Sequence, residues 1–168
     1  MIDEKLNESL NNHVNRELYS SYLYISMSAY FASIDLNGLA QWMKIQAQEE
    51  MSHAEKFFDF INGRGGRVIL QSIAAPENQW ESPLKVFEDT LAHEIEVTKG
   101  INELVDVALK TKDHATHNFL QWFVAEQVEE EATANTILQK LRLIKDDTTG
   151  LFMLDAELGK RKFTTPTP

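Results

Sequence analysis

The 168-residue sequence contains no cysteine. That excludes disulfide scaffolds, thiolate zinc sites, Cys-ligated iron–sulfur clusters and cysteine nucleophiles. Proline is confined to positions 76, 83, 166 and 168, which leaves 1–75 and 84–165 free of it. Positive charge is scarce: 16 Lys and Arg stand against 26 Asp and Glu, a net charge of −10. Such a surface is a poor partner for nucleic acid or an anionic membrane and a good one for cations. Long apolar runs are missing too. The longest charge-free stretch, Leu18 to Ile34, has 17 residues and is broken by five serines, so no membrane span is expected. Asp3 and Glu4 open the chain and no apolar leader follows them, so the expected location is the cytoplasm.

What is present is ordinary globular material, 43% hydrophobic and 25% charged, enough for a core in one domain over 1–168. Glycine clusters at 38, 63, 65 and 66 and recurs at 100, 150 and 159. With the prolines, these breakers divide the chain into pieces at about 5–34, 39–62, 84–111, 114–145 and 149–160. None shows period-2 alternation, so each reads as a helix and the fold as all-α. Ser82-Pro83 places a capping side chain and a first-turn proline at the start of the third. The turn Asp35-Leu36-Asn37-Gly38 and the link at Lys112-Asp113 are short, which makes two antiparallel hairpins. The crossover 66–82 is long enough to run the length of the bundle and make helices two and three parallel. The tail from Thr164 to Pro168 is expected to fray.

Projection at 100° per residue gives each long helix an apolar stripe with a carboxylate in its middle. Helix one carries Leu10, Val14, Glu17, Ser21 and Tyr24; helix two carries Met43, Gln46, Glu50, His53 and Phe57. Helix three carries Leu91, Glu94, Val97 and Ile101; helix four carries Phe123, Glu126, Gln127, Glu130 and Ala134. Glu50 and His53 are i, i+3, and Gln127 and Glu130 repeat that spacing. Burying an unpaired carboxylate costs several kcal/mol, of order 3–5. No Lys or Arg lies on the stripes to pair with these four. A multivalent cation between them removes the conflict. Oxygen ligands with one imidazole and no sulfur suit iron or manganese best, with zinc as a further possibility. A metal-free helical bundle explains the topology but leaves the buried carboxylates without a reason. His93, His114 and His117 read as surface histidines, and Met43, Met51 and Trp122 as packing residues.

Over essentially its whole length the chain resembles the non-haem bacterial and archaeal ferritins. The carrying residues are Glu17 with Tyr24, Gln48-Glu49-Glu50-Met51-Ser52-His53, Glu94, and Glu126-Gln127-Val128-Glu129-Glu130-Glu131. The resemblance implies a ferritin-like four-helix bundle with a short fifth helix. It implies iron storage: Fe(II) is oxidised to Fe(III) by dioxygen or hydrogen peroxide, and ferric mineral is kept inside a shell of 24 subunits. It implies one iron site at Glu17, Glu50 and His53, and a second at Glu50, Glu94 and Glu130 with Gln127 nearby. Glu50 is then the bridge and Tyr24 a hydrogen-bond donor or electron source. Glu49, Glu126 and Glu129, sharing Glu130, resemble a third iron site. Gln127-x-x-Glu130 stands where bacterioferritins resemble a second Glu-x-x-His, and no haem is expected at Met51. A rubrerythrin-like peroxide-reducing enzyme would want a Cys-x-x-Cys domain for its electrons. A small-shell starvation-type ferritin would place its ligands between subunits. On helix five, Leu151, Leu154 and Leu158 form a face expected to be covered by neighbouring subunits.

Overall fold

A computed structural model describes residues 2–164, so the expected fraying of 165–168 lies outside the described residues. Five helices follow one another: α1 (Glu4–Ser33), α2 (Asn37–Gly63), α3 (Pro83–Lys110), α4 (His114–Ile144) and α5 (Thr148–Leu158). Their starts follow from local chemistry. Asp3, Ser82, Asp113 and Asp147 each accept backbone N–H groups left unpaired in a first helical turn. Pro83 occupies the first turn of α3, where its missing N–H costs nothing. At the end of α2, Gly65 takes the left-handed conformation, φ 72°, that closes a helix most cheaply on glycine.

Helix α2 starts differently. It includes Asn37 and Gly38, which the sequence assigned to the turn, and its N-cap Leu36 has no side-chain oxygen to offer. The cap comes from α5: Asp155 Oδ1 accepts the Leu39 N–H at 2.8 Å. Gly38 is what allows this approach. A Cβ there would lie 1.7 Å from the Asp155 carbonyl oxygen.

Contacts across the bundle fix its topology. Ser21 and Ser28 on α1 donate to Ala47 and Ala40 carbonyls on α2, both at 2.8 Å, so α1 and α2 are antiparallel. Ser20 meets His93 and Met27 meets Thr90, so α1 also runs antiparallel to α3. Phe60 stacks on Phe119 at 3.9 Å and Gln46 reaches Glu130, which orders α2 against α4. The crossover follows α1 from end to end. Asn11 binds the Arg67 carbonyl at 3.0 Å, Ser26 binds that of Glu77 at 2.7 Å, and Trp80 packs on Tyr30. This is the arrangement of two hairpins and one long crossover that the breaker pattern predicts.

Two apolar clusters fill the ends of the bundle. One contains Leu6, Leu10, Phe57, Ile61 and Leu120. The other contains Phe31, Leu39, Trp42, Phe87 and the α5 residues Leu154 and Leu158. The expectation for α5 is therefore corrected. Its leucine face is covered by this chain's own bundle, because Gly38 lets α5 lie directly on the start of α2. Phe152 and Met153 point outward instead. Among the described residues no helix is long and apolar enough to cross a membrane.

Candidate metal centre

Between the two apolar ends lies a polar band. Glu17, Tyr24, Glu50, His53, Glu94, Gln127 and Glu130 are all buried, as their place on the stripes predicts. The structure brings Glu17, Glu50 and His53 closest: one ligand atom from each lies within 4.8 Å of the other two. His53 Nδ1 faces Glu50 Oε2 at 3.4 Å. Two buried atoms in this group, Glu17 Oε2 and His53 Nε2, have no hydrogen-bond partner. An orphaned carboxylate oxygen in a dry interior is costly, and a cation satisfies it. The donor set therefore fits a hard-to-borderline metal ion.

Glu94 and Glu130 close the other side. Tyr24 Oη donates to Glu94 Oε1. Gln127 Nε2 donates to Glu94 Oε2 at 3.2 Å and to the Glu94 carbonyl at 3.3 Å. Gln127 thus acts here as a donor to a carboxylate. Gln46 Nε2 spans from Glu130 Oε2, at 2.7 Å, to Glu50 Oε1, at 3.2 Å.

Electrostatics separates the two sides. Burial raises the Glu17 carboxyl, but the charge and hydrogen bond of His13 outweigh it, and its pKa lies below the ordinary value. Burial raises Glu50, helped by the charge of Glu17. Burial and the charges of Glu50 and Glu130 hold Glu94 well above the carboxylate range. Burial, then Glu50, pushes Glu130 up to about 8. His53 resists burial: the hydrogen bond and charge of Glu50 raise it to about 10. Burial and Glu94 raise Tyr24, so its hydroxyl stays protonated near neutral pH and remains a donor.

Three further residues belong to this region. His13 is buried, four residues before Glu17, and its Nε2–H donates to Glu17 Oε1 at 2.8 Å. Its ring packs on Phe57 at 4.7 Å, which holds it in place. Gln46, four residues before Glu50, is the donor just described. Gln46 lay on the helix-two stripe; His13 went unread in the sequence, although its place four residues before Glu17 carried the signal. Arg161 carried none. It comes from beyond α5, donates to Gln46 Oε1 at 2.8 Å and also to Glu49 Oε2. The stripes themselves lack a basic partner, but the fold brings one to their edge. Glu49, Glu126, Glu129 and Glu130 line one cavity of about 350 Å³ together with Arg161.

Two readings are corrected: His93 as a surface histidine and Met51 as a packing residue. His93 is half-buried, with Nε2 2.8 Å from Ser20 Oγ, and burial pushes its pKa down. Met51 is exposed, because it points outward from α2 between Glu50 and Ser52. Trp122 packs edge-on against His53 at 5.4 Å and fixes the imidazole plane.

A bundle of four long helices with buried carboxylates and a histidine at its middle defines the ferritin-like class. The family described as "Ferritin-like domain" matches residues 7–144, and the chain belongs to it. A bacterial non-heme ferritin of Bacteroides fragilis is 46% identical over 161 residues, 96% of this chain and 100% of that protein. A probable bacterial non-heme ferritin-like protein of Haemophilus influenzae is 40% identical over 95% of this chain and 96% of its own. Among solved structures, an engineered closed form of the Archaeoglobus fulgidus ferritin superposes with a TM-score of 0.97 at 55% identity, covering 98% of this chain and 100% of that one. The same organism's open pore ferritin gives 0.95 at 54%, covering 96% and 100%. Iron storage with ferroxidase activity is the function this family membership carries.

Proposed function

We propose that Fe(II) is the substrate of the buried polar band, oxidised there two ions at a time and stored as ferric mineral. The observation that supports this reading most directly is the convergence of Glu17, Glu50 and His53 within 4.8 Å, with two of their atoms unpartnered. Glu17 and His53 hold one ion. Glu94 and Glu130 hold the other. Glu50 lies between the two sets and bridges them. Two Fe(II) supply two electrons, enough to reduce dioxygen to hydrogen peroxide, or hydrogen peroxide to water, with two protons taken up. The metal carries the electron transfer; the protein supplies position and charge.

The side chains have separable tasks. His13 ties one oxygen of Glu17 and leaves the other for the ion. Tyr24 and Gln127 hold the Glu94 carboxylate by its two oxygens, which orients it towards the pair. Outer-shell bonds of this kind fix ligand geometry. Glu49, Glu126 and Glu129, with Glu130 shared, form a third and weaker cation site in the α2/α4 cavity. That site has no imidazole and is partly open to water, so its ion is held less tightly. Product ions pass from the bundle to the inside of a hollow shell of 24 subunits in the cytoplasm, without haem. Native mass together with iron oxidation tests this: a large closed assembly that oxidises two Fe(II) per chain rapidly is expected. A 19.2 kDa monomer, or loss of the fast phase in neither Glu50→Ala nor His53→Ala, would overturn it.

A further inference from the structure

Beyond α5 the chain lays one side chain into the opening between α2 and α4. The Arg161 guanidinium carbon sits 4.4 Å above the ring of Trp42. One nitrogen donates to Glu49 Oε2, and another donates to Gln46 Oε1 at 2.8 Å. Gln46 is buried, 1% exposed, and its Nε2 holds Glu130 and Glu50. Arginine has only donors. The atom of Gln46 that faces it must therefore be the carbonyl oxygen. That assignment turns the Gln46 amide nitrogen onto the two carboxylates. One residue outside the four-helix bundle thus sets the orientation of a side chain bonded to the bridging glutamate.

We propose that Arg161 is an exchangeable internal counter-cation of the third site: it occupies Glu49 while that site is empty and leaves when a metal ion binds there, freeing Gln46 to turn. The proposal rests on the third-site reading above. Three features carry it. Glu49 offers the same oxygen to either cation, so guanidinium and metal compete. The cavity joins one arginine to four glutamates, so it keeps a net negative charge that attracts a divalent ion, which then repels the arginine. Arg161 lies past the end of α5 at Leu158, so its departure breaks no helix. The exchange couples storage to the centre. Filling the third site removes the bond that fixes Gln46, and with it the donor held on Glu50 and Glu130.

The test uses zinc(II), which is redox-silent, titrated into the metal-free assembled protein and read by calorimetry and bound-metal analysis. The third ion is identified as the one lost in Glu126→Gln. Arg161→Gln should bind that ion about 10-fold more tightly than the parent, and should shift the first two, which feel the released Gln46, by about threefold at most. Arg161→Lys, which keeps charge but loses the fork, should fall between. If parent and Arg161→Gln bind a third ion equally, exchange is wrong and the third site stands. If neither binds one at millimolar zinc, the third site and the exchange both fall. Crystals of the parent soaked in zinc give a readout independent of any variant's folding. Arg161 should be turned away from Glu49 wherever the third ion is present; an ion bound with that contact intact overturns the proposal.

Discussion

The two hairpins contribute unequally to the polar band. The α1/α2 hairpin presents Glu17, Glu50 and His53 already gathered, with two atoms unpartnered and Glu17 held below its ordinary pKa by His13. The α3/α4 hairpin presents Glu94 and Glu130 raised by burial and by the charge of Glu50, each tied to a donor from elsewhere. The α1/α2 side is assembled and charge-compensated, with its proton on His53; the other side holds its protons on the carboxyl groups themselves until a cation replaces them. Four similar carboxylates on four similar helices are therefore not equivalent. The histidine partners lie on one side only, so the first ion should settle there.

Loss of the bridge should separate the two hairpins most strongly. Glu50→Ala should slow fast Fe(II) oxidation by about 100-fold, more than Glu17→Ala, because Glu50 faces both sides. Folding should survive, since removing a buried carboxylate relieves repulsion in the metal-free protein. Stopped-flow absorbance measures the rate, and equal losses in the two variants would remove the bridge assignment.

Next comes proton release. In the metal-free protein His53 titrates near 10, Glu130 near 8, and Glu94 is raised well above its ordinary value. Near pH 7 these groups hold protons that a bound cation must displace. Cation affinity should therefore rise with pH from 6 to 8, and filling both sites should release about two to three protons. Zinc calorimetry in buffers of different ionisation enthalpy counts them. A count near zero would mean that the band is already ionised and that the asymmetry is absent.

His13→Leu should weaken the first ion by about 10-fold and the second little, because it strips Glu17 Oε1 of the hydrogen-bond donor that orients it. Equal weakening of both ions would show that His13 acts through the packing of Phe57. The smallest effect belongs to the ends of the bundle. Asp155→Ala removes the cap of α2 and should cost about 1 kcal/mol of stability, read by denaturant titration, with the oxidation rate of the pair unchanged.

Much of this was legible in the residues. Glycine and proline positions bounded the helices, and the stripes put Glu17, Glu50, His53, Glu94, Gln127 and Glu130 in the interior, because the 3.6-residue period assigns a face before any partner is known. Gln46 stood on the same stripe as Glu50; His13, four residues before Glu17, carried the same i−4 signal but was missed. The start of α2 was not legible. Gly38 reads as a breaker until Asp155, more than a hundred residues later, supplies the missing cap.

The class of fold and the burial of side chains at mid-bundle follow from the residues alone, since periodicity and breakers are local properties of the chain. What those side chains meet depends on the folded arrangement. It placed the α5 leucines on this chain's own bundle, gave Glu17 and Glu94 different partners and opposite pKa shifts, and brought Arg161 to Glu49. The physical reason is that burial follows from a helix's own pattern. The electrostatic state of a buried group is set by neighbours a few ångströms away that can lie anywhere in the sequence.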